Sequence, residues 1–320
     1  MGAYAMRRLL WIPVTLLLTT IVVFLLVRFI PGDIVDTIQA QMVDNGGAGA
    51  IDRPAIEHAL GLDVPVYTQY GRWIGNIVFH GNMGKSLRTQ LPITPQIVSR
   101  IPITFELGLM GIIVGLLISL PIGVYAAIRQ DTITDYILRS IAILLISIPS
   151  FWLGTLVVLY ASLWWGWTPP MEFISLFKNL PGNLGMMIVP ALVLGAAQTG
   201  GTMRMTRTMM LEVLRQDYIR TAWSKGLSER VVVLRHAVKN AFIPIVTMIG
   251  AGIPSLIGGS VIIEQIFNLP GMGRLMYESL MGRDYPIVSA INLILAVLVV
   301  VTNLGVDLTY GWLDPRIHYQ

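Results

Sequence analysis

The chain has 320 residues, 54% of them hydrophobic and 12% charged, with a formal net charge of +4 and a mean hydropathy of +0.69. One soluble domain could not keep that much apolar surface out of water, so the composition excludes a soluble globular protein and indicates an integral membrane protein. The lack of cysteine excludes disulfides, thiolate chemistry and cysteine-based metal sites.

A bilayer core about 30 Å thick takes roughly 20 mostly apolar helical residues to cross. Six segments meet that requirement: 9–30, 103–128, 138–163, 184–203, 242–267 and 287–309. The expected fold is an all-α polytopic membrane protein with six transmembrane helices.

The first segment follows Arg7 and Arg8, as a secretory signal would. It is too long for one and ends in "RFIPGDIVD" without a small-x-small cleavage pattern, so residues 1–30 read as an uncleaved anchor. Residues 31–102 form an expected extracytoplasmic subdomain, with a Gly-rich turn at "DNGGAGA" and a predicted short helix over 54–60. Within it, "GNMGKS" resembles the end of a phosphate-binding loop, but Gly81 and Gly84 are too close together and no apolar strand leads in. It reads as an outer turn on the wrong side for ATP.

The core, residues 103–309, starts with Gly108, Gly111 and Gly115 in the second span, where helices could approach closely. The fourth span is the weakest, because Pro190 and Gln198 to Gly201 make it partly polar. "SLFK" at 175–178 fits a Ser-x-x-Lys nucleophile pattern without supporting context. His58, His80, His236 and His318 lack metal-ligand spacing. No catalytic residue, metal site or bound cofactor is expected, and the chain reads as a transporter subunit rather than an enzyme. The halves on either side of residue 160 show no repeat, which weakens the case for an inverted-repeat carrier.

In the fifth span, "GAGIPSLIGGS" makes Gly250, Gly252, Pro254, Gly258 and Gly259 candidates for a pathway wall that slides or bends, with tight helix packing an equal alternative. Glu264 joins them as a candidate gate. Glu106, Glu264 and Asp307 all fall near helix ends, whereas an ion-coupled carrier places a carboxylate near the midplane. Energy for transport is expected to come from elsewhere.

With the amino terminus inside, the cytoplasmic pieces carry Arg7, Arg8, Arg129, Arg139, eight Lys/Arg from Arg204 to Lys239, and Arg316, which is thirteen of the chain's 22. The bias follows the positive-inside rule, so both termini, the loop 204–241 and the tail 310–320 are expected in the cytoplasm. The pI of about 9.4 records this topology, and no nucleic-acid partner is expected.

Inside that loop, Tyr218, Ile219, Ala222 and Trp223 share one face of a predicted helix, with Asp217, Arg220 and Ser224 around the other. Gly226 suits a helix stop, and Ser228 a cap for a second helix leading back into the membrane at Phe242. The pattern fits a helix docking in the groove of a soluble partner, or one held by anionic headgroups.

The stretch "LEVLRQDYIRTAWSKGLSERVVVLRHAVKNAFIP" resembles the cytoplasmic coupling loop of ABC-importer permeases, in particular those of the dipeptide, oligopeptide and nickel importers. Against the Glu-Ala-Ala-x-x-x-Gly pattern of that family, Arg220 replaces the Glu, Thr221 and Ala222 the alanines, and Gly226 matches the glycine. The motif's proline falls at Lys239, with Pro244 further on. The likeness continues through "RRLLWIPV", "VRFIPGD", "ALGLDVPVYTQYGRW", "GNMGKS", "RIPITFEL", "EQIFNLPGMGRL", "GRDYPIV" and "NLGVDLTYGWLDPR".

The resemblance implies a type I ABC importer permease in a prokaryotic inner membrane. Partners would be a second homologous permease, two cytoplasmic ATP-binding subunits that hold ATP and Mg, and an extracytoplasmic solute-binding protein. Asp217, Tyr218, Arg220, Thr221, Ala222, Trp223, Lys225, Gly226 and Leu227 would contact the ATPase, with Tyr218 and Trp223 as apolar anchors. The outer loop "WGWTPPMEFISLFKNLPGN" is longer and more aromatic than in peptide members, so oligosaccharide or nickel stands beside peptide as the solute. An ion-coupled secondary carrier and an intramembrane enzyme are the readings of other classes.

Overall fold

The computed structural model describes the backbone of residues 2–29, 54 and 63–313, and their side chains except at 2–9, 26–29, 243, 251, 254–257, 259 and 306–313. The "DNGGAGA" turn, most of the helix predicted over 54–60 and the end of the tail lie outside the described residues. Those described are helical apart from turns and one isolated β-bridge, Lys85 with Pro92. Two compact units divide the chain: residues 2–101 with 275–300, and residues 102–274 with 301–320.

The first unit contains α1 (Gly2–Phe29), α2 (Val66–His80) and α3 (Ile93–Val98). Thr20 on α1 shares a 2.7 Å hydrogen bond with the Tyr70 hydroxyl on α2. Phe24 packs its ring 5.4 Å from Tyr70 and 5.6 Å from Trp73. At the end of α2, Gly81 adopts φ +60 and returns its N–H to Ile77, a left-handed cap that glycine enters without Cβ strain.

"GNMGKS" then folds as an outer turn. Ser86 is fully buried, and its hydroxyl donates to the Asp284 carboxylate, which also accepts the Leu87 N–H at 3.1 Å. Asp284 belongs to "GRDYPIV" and lies between α11 (Met272–Met281) and α12 (Tyr285–Leu313). Two motifs nearly 200 positions apart are thus one structural joint, and Ser86 is occupied as a buried donor.

The second unit contains α4 (Ile101–Ile128), α5 (Ile133–Ser147), α6 (Ser150–Trp165), α7 (Leu180–Leu214) and α10 (Val238–Ile266). Helix α7 is central, with α5, α6 and α10 packed on it. Its polar run does not break it. Thr199 is buried and bonds back to the Gly195 carbonyl at 2.8 Å, and Gly200 lets α5 approach so closely that a Cβ there would lie 2.6 Å from the Ala142 carbonyl oxygen. Gly195 admits α4 in the same way, with Gly111 O only 2.6 Å from the position a Cβ would take. Small residues set these helix separations, as in other membrane bundles.

Two expectations need correction. The span over 138–163 is not one helix: α5 and α6 meet at a 96° bend. Ile148 is extended (φ −82, ψ 120) ahead of Pro149, because the proline ring disfavours the helical region for the residue before it. The fourth span, expected over 184–203, is the 35-residue α7, about 52 Å long at 1.5 Å per residue. Residues 204–214, expected in the loop, therefore continue the helix.

Among the described residues, Ile93–Ile128, Leu180–Leu214 and Tyr285–Gly305 are each long and apolar enough to cross a membrane, and the count reaches five if each of two bent pairs is one span. The apolar stretch Leu10–Leu25 of α1 is shorter.

Candidate functional site

Helix α7 runs straight into an elbow. Gln216 is extended (φ −74, ψ 149) and starts α8 (Asp217–Ser224), its carbonyl accepting the N–H of Ile219 at 3.0 Å. The predicted shared face of α8 divides in two. Ile219 and Ala222 are 0% and 7% exposed, whereas Tyr218 and Trp223 are 43% and 44% exposed.

Ile219 and Ala222 pack into a cluster with Ala127, Met210, Val232, Val233, Ala237 and Ala241, and Leu227 lies against it. This burial fixes α8 to the bundle and leaves the two aromatic side chains outward. Asn240 holds Tyr218 by donating to its hydroxyl at 2.8 Å. Thr221 and Ser224 bond back along the helix. Arg220 reaches Asp217 at 3.4 Å with both side chains largely exposed, an arrangement worth little to stability.

The helix stops where the sequence indicates. Gly226 has φ +74, and no atom lies within 4 Å of where its Cβ would be. Only backbone conformation demands glycine there. Lys225 is the last capping residue and is exposed.

The second leg differs from expectation. Ser228 stands at the cap position of α9 (Glu229–Val231), but its side chain makes no capping bond; its carbonyl accepts from Val231 and Val232 instead. A π-helical segment, Val232–Ala237, follows. The wider turn buries Val232, Val233 and Ala237 and leaves Leu234 66% exposed. A single π turn inserted between α segments has no signature in hydrophobic spacing, so the sequence did not show it.

A polar lock missed by the sequence reading holds the base of α7. Asp135 is fully buried and accepts from Arg207 Nε at 2.7 Å and Nη2 at 2.6 Å. Thr132 caps α5 by accepting the Asp135 N–H at 3.4 Å, a capping pattern visible in "TITD". The partner 72 positions away has no local signal.

The pathway candidates fare differently from one another. Helix α10 continues through 250–259 without a break; Gly250 is buried, Gly258 is exposed, and the side chain of Pro254, like any detail at Gly259, lies outside the described residues. A Cβ on Gly252 would lie 3.0 Å from Gln198 Nε2.

Glu264 is fully buried. It accepts from Thr104 Oγ1 at 2.7 Å, Ser260 Oγ at 3.1 Å and the Arg274 N–H at 2.9 Å, while Thr104 accepts from the Met272 N–H at 2.8 Å. A Cβ on Gly271 or Gly273 would collide with its carboxylate. The motif "EQIFNLPGMGRL" is therefore a turn folded around a carboxylate. The outer loop is built inward in part: Trp167 packs 6.5 Å from Phe267, and the half-buried Phe173 and Ile174 lie against the core of α4, α7 and α10, whereas Trp165 and Phe177 are 74% and 95% exposed. Trp167 and Phe173 serve the fold.

The fold is that of ABC-transporter membrane subunits. A chain of the methionine ABC transporter MetNI in inward-facing conformations aligns with a TM-score of 0.56 at 17% identity, covering 68% of this chain and 96% of that one. A chain of an amino acid ABC transporter crystallised with histidines gives 0.54 at 14% identity, covering 68% and 94%.

Within that class, the chain belongs to the family described as binding-protein-dependent transport system inner membrane component, whose model matches residues 119–319, with the family's N-terminal model matching 1–108. It is 40% identical over 100% of both chains to the oligopeptide transport system permease protein AppB of Bacillus subtilis. It is 40% identical to a putative peptide transport system permease protein of Brucella suis, over 97% of this chain and 96% of that one. With the dipeptide transport system permease protein DppB of Escherichia coli the figures are 34% and 99% of each chain. The chain is a permease subunit of an ABC importer and an inner-membrane protein.

Proposed function

We propose that this permease forms half of a peptide pathway and takes its drive through α8. A homologous permease completes the pathway, two ATPase subunits bind ATP and Mg and close against the 217–227 segment, and an extracytoplasmic binding protein delivers the peptide. Both chain ends face the cytoplasm, and six spans cross the membrane. The names of full-length relatives support peptide over oligosaccharide or nickel.

The observation that carries the coupling role is the division of α8. One face is locked into the bundle through Ile219 and Ala222, and the other presents Tyr218 and Trp223. Aromatic anchors of this kind concentrate binding energy at interfaces, and a helix rigidly joined to α7 transmits displacement into the membrane. Thr221, Arg220 and Lys225 supply polar contacts around them.

The test is Trp223→Asp in the complete transporter reconstituted in vesicles. The subunit should insert and assemble, while ATP hydrolysis ceases to drive uptake. Uptake at the unmodified rate would refute the assignment.

A further inference from the structure

Helix α2 lies in a region that the sequence assigns to the aqueous outer side, yet it is bonded to α1 well below the end of that helix's apolar stretch. Residues 9–27 of α1 are uncharged between Arg8 and Arg28. Counting 1.5 Å per residue from Arg28, Phe24 sits about 6 Å and Thr20 about 12 Å into the apolar stretch. These are the residues that hold Tyr70 and Trp73 of α2. Amphipathic helices that lie in a membrane interface are buried to about 5–10 Å.

The faces of α2 match that position. At about 100° per residue, Tyr67, Ile74 and Val78 fall within about 40° of one another, nearly opposite Gln69, Arg72 and Asn76. No residue of α2 is buried, and Tyr67 and Val78 on the apolar flank are 77% and 66% exposed. The helix is held against the apolar stretch of α1 through Tyr70 and Trp73. An arginine at Arg72 can extend to the headgroups while its stem stays at the boundary.

We infer that α2 is a lipid-contacting interfacial helix, with its Tyr67–Val78 flank against acyl chains and its Arg72–Asn76 flank toward the headgroups of the outer leaflet. Both rest on the proposed topology: the leaflet on the orientation, and the embedding on α1 as one of the six spans. Seated this way, the helix fixes the extracytoplasmic part of the chain to the bilayer surface as well as to the protein.

This chain has no cysteine, so each introduced cysteine is its single labelling site. Tyr67→Cys, Arg72→Cys, Asn76→Cys and Val78→Cys would each carry a nitroxide in the complete transporter reconstituted in vesicles, with uptake measured to confirm assembly. Labels at 67 and 78 should be relaxed by oxygen, shielded from a nickel chelate and reduced by external ascorbate about tenfold more slowly than those at 72 and 76, the partition preference of a side chain of this size. Added binding protein should change neither pair.

Labels at 67 and 78 as open to the chelate as those at 76 overturn the inference. So does shielding from oxygen and chelate together, which marks a protein cover, or shielding that develops only with the binding protein. Reduction of 72 and 76 from the cytoplasmic side alone would move α2 to the other leaflet, overturning the outer-leaflet assignment and the proposed orientation but leaving the lipid contact standing.

Discussion

Replacing Gly195 by alanine tests how tightly α4 and α7 are set. The new Cβ would lie 2.6 Å from Gly111 O, 3.4 Å from Gly111 C and 3.5 Å from Gly115 N. All three are backbone atoms, so no rotamer change relieves the contact. Restoring an ordinary 3.4 Å approach requires about 0.8 Å of separation, and a gap of that size along neighbouring contacts forfeits about a quarter to a half of their dispersion energy. Overpacking of this kind costs about 1–3 kcal/mol, against which alanine returns roughly 0.5–1 kcal/mol over glycine inside a helix.

Gly115→Ala on the facing helix is the control, because its Cβ would meet Gly195 O, Thr199 and Gln198 at ordinary distances of 3.5–3.9 Å. Thermal unfolding of the detergent-solubilised subunit, followed by tryptophan fluorescence, should place Gly195→Ala about 2–6 °C below the parent, using roughly 2–4 °C per kcal/mol. Gly115→Ala should unfold at or above the parent. Equal midpoints for the two variants would refute the argument that backbone contact sets the α4–α7 distance.

At Gly226 the space is open and only φ +74 is demanding, so Gly226→Asn should keep uptake coupled to ATP hydrolysis in vesicles, whereas Gly226→Val should uncouple it; a left-handed residue costs about 1–2 kcal/mol for ordinary side chains and is least strained for asparagine. Asp135→Ala leaves Arg207 largely buried without its carboxylate, a loss of about 3–5 kcal/mol, and should sharply lower the denaturant midpoint. The double variant Asp135→Leu with Arg207→Met should recover most of it, since no charge is then left buried alone.

Much of this protein was legible because a membrane imposes coarse rules. The length of the apolar runs located α1, α4, α10 and α12, and the likeness of ordered motifs pointed to the family that the full-length comparison established. Gly226 was readable because a left-handed stop leaves one residue type favoured. What stayed hidden was whatever depended on a distant partner.

Ser86 with Asp284, Asp135 with Arg207, and Glu264 with Thr104 and the Gly271–Gly273 turn each join residues far apart in the chain, and hydrophobic spacing carries no information about them. Spacing also placed Tyr218, Ile219, Ala222 and Trp223 on one face; only packing against Met210 and the π segment decided which two are buried and which two are exposed. The sequence by itself determined that the chain lives in a membrane, because hydropathy is additive along the chain. The tertiary structure decided which polar groups lock the bundle and where its helices break and bend, because those depend on shape and on pairing across it.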